Sequence, residues 1–349
     1  MARGAFGGAG VLVAASILAG AFALGGCFYP AYEVITDGAA GAGFGGAGGS
    51  GSGGGGEEPD SCLPVGSETI LACNQANPSA IAVTPEFVFW TNEDSGEIVQ
   101  MIKLTGDIDP VIVAQKQPCG LAIGSGFLYW RTHSGELWRA DVHKPLAKSQ
   151  IDSDLGDSCA LSANASGVFY FKVNASGPSQ LMRYTVMDTK QEIAPVTSPV
   201  GVAATGNAVY WTDKSTNELY AKLLVAPGTQ TKWSMTAPCG LASSDQFVVA
   251  TAGNPSVSMY GNLMKTKEFD SPGAPCAAAV QGFTGVAWMI PSTGEVVAGG
   301  AGGTPSVKAK GPAPGCAVAI DGSTLYWTSC APTLKNGRVM SFTVNNFGP

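Results

Sequence analysis

The sequence predicts an all-β chain closed into a β-propeller of seven four-stranded blades, and three observations predict it. A phrase of small residues, followed about ten residues later by an aromatic pair, recurs seven times at a spacing of about 40 residues, a period that belongs to propeller blades. Each unit consists of short strand-like runs bounded by Gly, Asn, Asp and Ser, the residues that tight turns require. The last unit is one strand short, and a spare strand lies ahead of the first.

The first strand of each unit begins at Ser79, Cys119, Cys159, Val200, Cys239, Cys276 or Cys316. In all seven the second and fourth residues are Gly, Ala or Ser and the third is apolar, which is a β-strand with two different faces. Innermost strands converge on the propeller axis, where only small side chains fit. Turns such as Gly206-Asn207 and Asp321-Gly322-Ser323 lead into second strands that carry the aromatics: Phe89-Trp90, Tyr129-Trp130, Tyr170-Phe171, Tyr210-Trp211, Trp288 and Tyr326-Trp327, with the fifth unit lacking its Trp. Third strands follow at Glu97–Ile102, Gly135–Arg139, Gln180–Tyr184 and Gly337–Phe342, and fourth strands such as Pro110–Val113 lead to the next unit. The last unit ends at Val344 without a fourth strand. Glu68 to Ala72 belongs to no unit of its own, and pairing with the third strand of unit seven would close the ring and remove two open edges.

The run Tyr210-Trp211-Thr212-Asp213, with Phe89-Trp90-Thr91-Asn92 and Tyr326-Trp327-Thr328-Ser329 close to it, resembles the YWTD-type propellers of the low-density-lipoprotein-receptor family and their bacterial relatives in the TolB-like group. The resemblance covers about residues 66 to 344. It implies that Asp213 ties neighbouring blades together. That family has six blades; seven units are present here, and the reading favours seven.

Three parts are expected: residues 1–26, 27–61 and 62–349. The first holds one basic residue, Arg3, and an apolar run from Val11 to Leu24, shorter than the roughly 20 residues needed to span a bilayer, and reads as a secretion signal. It ends in Leu24-Gly25-Gly26-Cys27, which resembles the bacterial lipobox. The resemblance implies lipidation at Cys27, a membrane contact through the acyl chains and, with Phe28 rather than Asp next, sorting to the outer membrane of a Gram-negative cell, facing the periplasm or the exterior. Residues 37–56 are almost all Gly, Ala and Ser and read as a flexible tether.

The net charge of −7, with 19 basic residues scattered singly, argues against nucleic-acid binding. Setting Cys27 aside leaves eight cysteines, an even number that favours disulfides in an exported protein. Cys316 and Cys330 face each other across a hairpin, and Cys62 and Cys73 flank the closing strand. Cys119 with Cys159, and Cys239 with Cys276, occupy the same place in neighbouring units; either they bridge blades or they are buried thiols.

Catalytic residue types are scarce. His133 and His143 lie outside any zinc spacing, and there is no nucleophile elbow. Streptogramin lyases, also seven-bladed, hold a metal through a Glu-x-His pairing that this chain lacks. The sequence therefore gives no catalytic residue, metal or cofactor, and points to a face: the loops after the second strands, with Asn92, Glu93, Arg131, His133, Asp213, Lys214, Asn217, Lys335 and Asn336 as binding candidates. The function expected is an envelope lipoprotein whose propeller is a non-catalytic scaffold for a protein, peptide or glycan. The alternative is a propeller hydrolase or lyase acting through loop carboxylates.

Overall fold

The computed structural model describes residues 63–345 and 347, apart from 65, 226, 227, 229, 283, 284, 301, 302 and 331–335. Seven four-stranded antiparallel sheets follow one another around a ring: a seven-bladed β-propeller. Six blades take their four strands from consecutive segments, as in blade 1 with Pro78–Val83, Phe87–Asn92, Glu97–Ile102 and Ile108–Ile112. The seventh is composite. Its inner three strands are Gly315–Asp321, Thr324–Ser329 and Gly337–Thr343, and its outer strand is Thr69–Gln75, paired through Thr69↔Ser341, Ile70↔Met340 and Ala72↔Val339. The closure anticipated for residues 68–72 is therefore realised, three residues longer at its C-terminal end.

The inner strands meet their neighbours all the way round, and their apolar third residues are sealed: Ile81, Leu121, Leu161, Val202, Leu241, Ala278 and Val318 are all buried. The apolar cores lie between blades rather than within them. Val202 and Trp211 of blade 4 pack with Phe169 and Leu181 of blade 3, and Val286 and Trp288 of blade 6 with Val249 and Met259 of blade 5. A strongly twisted four-stranded sheet cannot bury both faces alone, so each blade depends on the next.

The motif residues have a structural task. Trp90, Trp130 and Trp288 wedge into the seams, and their indole N–H groups donate to Gln75 Oε1 (2.9 Å), Gln115 Oε1 (2.9 Å) and Ser271 Oγ (3.0 Å) in the segment that enters the blade. The motif threonines accept an inner-strand amide: Thr91 from Ala80, Thr212 from Gly201, Thr251 from Gly240 and Thr328 from Ala317, at 2.8–3.1 Å. Each lies beside a bulge in the inner strand, where a buried amide lacks its ladder partner.

Three disulfides join pairs of the described residues: Cys119–Cys159 and Cys239–Cys276 between blades, and Cys316–Cys330 within blade 7, with Cα atoms 5.3, 5.0 and 5.8 Å apart. The glycine after Cys119 and Cys239 makes the inter-blade bridges possible. A Cβ on Gly120 would lie 2.2 Å from the Cys159 carbonyl oxygen, and one on Gly240 would lie 1.8 Å from that of Cys276. Cys73 sits on the closing strand, whereas Cys62, Cys27, the signal and the tether lie outside the described residues.

Candidate active site

Antiparallel pairing sets the start of each inner strand opposite the end of the second strand, as in Pro118↔Thr132 and Pro238↔Ala252. The opener cysteines and the loops after the second strands therefore share one face. On that face one backbone position repeats. The amides of Glu93, His133, Lys214, Gly253 and Cys330 each donate to the chain entering their own blade, at Asn77, Gln117, Ser198, Ala237 and Pro314. The same backbone site thus presents four different side chains and, in blade 5, a glycine. In blade 7 it carries Cys330, bonded to Cys316 fourteen residues earlier. In blade 2 it carries His133, equally far from Cys119.

His133 is half-buried between two carboxylates and the inter-blade bridge. Its Nδ1 lies 2.7 Å from Asp157 Oδ1 and its Nε2 lies 3.5 Å from Glu93 Oε1. Cys159 Sγ is 3.7 Å and 3.8 Å from the ring nitrogens. The contact with Glu93 foremost, then the hydrogen bond to Asp157, push His133 up to about 9 against the opposing effect of burial. The imidazole is therefore cationic at neutral pH. Glu93 is itself oriented, its Oε2 accepting from Asn77 Nδ2 at 3.1 Å. Three elements converge here: the second-strand turns of blades 1 and 2, and the connection from blade 2 to blade 3.

Arg131 supports this group from below. It is fully buried, donating from Nη1 to the Phe171 carbonyl at 2.7 Å and from Nη2 to the Gly156 carbonyl at 3.0 Å. The second bond fixes the residue before Asp157. Burial, opposed by the nearby Tyr170, Asp157 and Asp152, brings the guanidinium down to about 10, so it stays charged at neutral pH.

Three of the sequence candidates are corrected by this geometry. Asn92, Arg131 and Asp213 are not loop residues on a free face; they end or nearly end the second strands and are buried. Asn92 Nδ2 donates to Gln75, and Arg131 links blades 2 and 3. Asp213 accepts from the amides of Thr197, Ser198 and Ser215 and from the Ser215 hydroxyl, which holds its carboxyl below the usual range despite burial. It clamps the crossover from blade 3 to blade 4, the role implied by the YWTD resemblance. Of the remaining candidates, Glu93 and His133 come together. Lys214 and Asn217 are exposed on blade 4 and Asn336 on blade 7, and Lys335 lies outside the described residues.

Asp157 was missed, although a signal existed. The residue before the opener is Pro in five units (Pro78, Pro118, Pro199, Pro238 and Pro275), and Asp157-Ser158 breaks that rule immediately before Cys159. The fourteen-residue offset of Cys316 and Cys330 pointed to His133 in the same way.

A cleft of about 240 Å³ opens on the same face between blades 3 and 4, lined by Pro178, Pro195, Trp211, Asp213, Thr216 and Tyr220. Trp211 and Tyr220 stack there with ring centroids 5.5 Å apart. The carboxylate of this cleft, Asp213, has its oxygens committed to backbone and hydroxyl donors. Cys119, His133 and Cys159 are the one group of metal-capable side chains brought within 4.8 Å among the described residues. With both sulfurs in a disulfide, that group does not fit a metal ion in this state.

The sequence matches no protein-family model and no curated protein. Solved structures resemble it in shape. A streptogramin B lyase superposes with a TM-score of 0.64 at 12% identity, covering 79% of this chain and 97% of that one. The virginiamycin B lyase of Staphylococcus aureus gives 0.63 at 15% identity, covering 79% and 98%. A chain of the mitotic checkpoint complex gives 0.60 at 9% identity, covering 82% and 96%. The non-catalytic binding scaffold expected from the sequence is withdrawn: the propellers matched over nearly their whole length include lyases, which fit the enzyme alternative better. At these identities the likeness establishes one thing, that the chain shares the seven-bladed propeller fold of these proteins.

Proposed function

We propose that this chain is an enzyme of the hydrolase or lyase class, acting in the cell envelope through Glu93 and His133. The observation that carries the reading is the placement of an acid and a base side by side: His133 Nε2 lies 3.5 Å from Glu93 Oε1. The imidazolium, cationic up to about pH 9, is the general acid, donating its Nε2 proton to a departing oxygen. Glu93 is the base, taking a proton from the substrate carbon in an elimination or from water in a hydrolysis. Asp157 holds Nδ1–H and so orients the ring, the part a carboxylate plays in triad chemistry. Loops on a rigid ring are a common seat for such groups. The lyases among the structural neighbours are consistent with this reading and supply no residue to it. An envelope location, with Cys27 lipid-anchored at the outer membrane, is part of the proposal; the three disulfides support an oxidising compartment.

The test is turnover of a panel of esters, lactones and cyclic depsipeptides, with products read by mass spectrometry. A hydrolase adds the mass of water; a lyase opens the ring at constant mass and leaves an alkene. His133→Gln and Glu93→Gln are expected to lower kcat by about 10²- to 10⁴-fold. Absence of turnover across the panel, or variants as active as the parent, would reject the assignment. In the producing cells, a labelled fatty acid should mark the chain and spare a Cys27→Ser variant; equal labelling would reject the anchor.

A further inference from the structure

We propose that reduction of the Cys119–Cys159 bridge converts this seam into a binding site for a thiophilic divalent cation, zinc being the expected ion. The inference concerns the reduced form and is independent of the acid–base reading, which concerns the bridged form.

Three donors already converge, and a carboxylate stands beside the histidine. The ligand atoms of Cys119, His133 and Cys159 lie within 4.8 Å of one another, and Glu93 Oε1 is 3.5 Å from His133 Nε2. Two thiolates, an imidazole and a carboxylate form a tetrahedral donor set that zinc accepts, with metal–sulfur bonds near 2.3 Å and metal–nitrogen bonds near 2.0–2.1 Å. The surrounding hydrogen bond is also in place. His133 Nδ1 meets Asp157 Oδ1 at 2.7 Å, which leaves Nε2 for the metal and reproduces the carboxylate–histidine–metal relay. The scaffold holds the histidine and its carboxylate partner by bonds other than the bridge. Arg131 fixes Gly156 beside Asp157, and the His133 amide is bonded to Gln117. Blade 7 shows how near the backbone brings the two positions, since Cys316 and Cys330, equivalent to Cys119 and His133, are joined by a covalent bond.

The chemistry balances. A dithiol reductant passes two electrons and two protons to the bridge and is oxidised to its own disulfide, leaving Cys119 and Cys159 as thiols. Metal entry then displaces both thiol protons and the Nε2 proton of His133, so binding strengthens as pH rises.

The experiment uses the whole propeller chain, reduced with a dithiol, freed of it anaerobically and titrated with cobalt(II). One equivalent should give the intense thiolate-to-cobalt absorption, abolished by one equivalent of zinc. The unreduced chain should show none. His133→Ala and Asp157→Asn should each weaken binding by at least about 10-fold. Because reduction opens all the bridges, thiol alkylation is mapped in parallel. Zinc should slow alkylation at Cys119 and Cys159 and leave Cys239 and Cys276 unchanged. If the reduced chain loses its near-ultraviolet circular dichroism, zinc present during reduction should preserve it. No cobalt band, equal binding by the unreduced chain, equal binding by His133→Ala, or zinc protection that is absent or uniform over the four cysteines would each overturn the proposal.

Discussion

The seam between blades 2 and 3 and the seam between blades 5 and 6 share one backbone and differ in chemistry. Both carry a Cys-Gly opener bridged to the next blade, with Cα atoms 5.3 and 5.0 Å apart. In both, the chain entering the blade accepts an amide bond from the turn opposite, from His133 in one and Gly253 in the other. Around the Cys239–Cys276 bridge the side chains complete the fold: Thr251 accepts the Gly240 amide at 2.8 Å and donates to the Cys276 carbonyl at 3.0 Å. Around the Cys119–Cys159 bridge Arg131 replaces that threonine, His133 replaces the glycine, and Asp157 stands beside the bridge. The difference teaches that the repeat supplies the scaffold and that departures from it supply the chemistry.

The largest effect should be common to both seams. Gly120→Ala and Gly240→Ala would each drive a methyl group into a backbone carbonyl that cannot move without opening the blades. Each should cost roughly 4 kcal/mol, read from the denaturant midpoint. A tolerated alanine at either site would show that the two bridges are not built alike.

The next effect separates the seams. Arg131→Ala leaves a cavity and two buried carbonyls, of Gly156 and Phe171, without donors, at about 3 kcal/mol. Arg131→Met restores volume and should recover part of that loss. Thr251→Val keeps its shape and removes an acceptor from the Gly240 amide, at about 1 kcal/mol. Equal losses for Arg131→Met and Thr251→Val would mean that Arg131 is a mere substitute for the motif threonine.

The smallest effect is confined to one seam. His133 titrates near 9 in the folded chain and near 6.5 unfolded, so its contribution is fully present below about pH 6.5 and is lost as pH rises through about 9. The ring is one-third exposed and Asp157 about two-thirds, so the difference in stability between the parent and His133→Gln should be about 1 kcal/mol or less. Chemical denaturation of the two at pH 6 and pH 9.5 measures it; a gap that widens at high pH would reverse the sign and reject the ion pair.

Much of the architecture was legible because a repeat reports itself. The small-apolar-small openers marked the inner strands, the missing last strand predicted the pairing of residues 68–72, and the evenly placed cysteines offered the inter-blade bridges as one of two alternatives. The site was less legible because its members share no local spacing: Glu93, His133 and Asp157 belong to separate turns that only ring curvature brings together. Arg131 was misplaced for a related reason. A charged residue directly after Trp130 reads as the start of a loop, yet its side chain turns inward, where two carbonyls compensate its burial.

The composite seventh blade also has a mechanical consequence. Tension arriving along the chain from the direction of residue 68 is carried by the strand Thr69–Gln75, whose hydrogen bonds to Gly337–Thr343 run across the strand direction. Such a ladder is loaded in shear, where its bonds resist together, rather than unzipped one at a time. At the far end of the same strand Gln75 Oε1 grips Trp90 and Asn92 of blade 1, so the force is handed on to the next blade. The strand that completes the ring is also the one that would bear its weight.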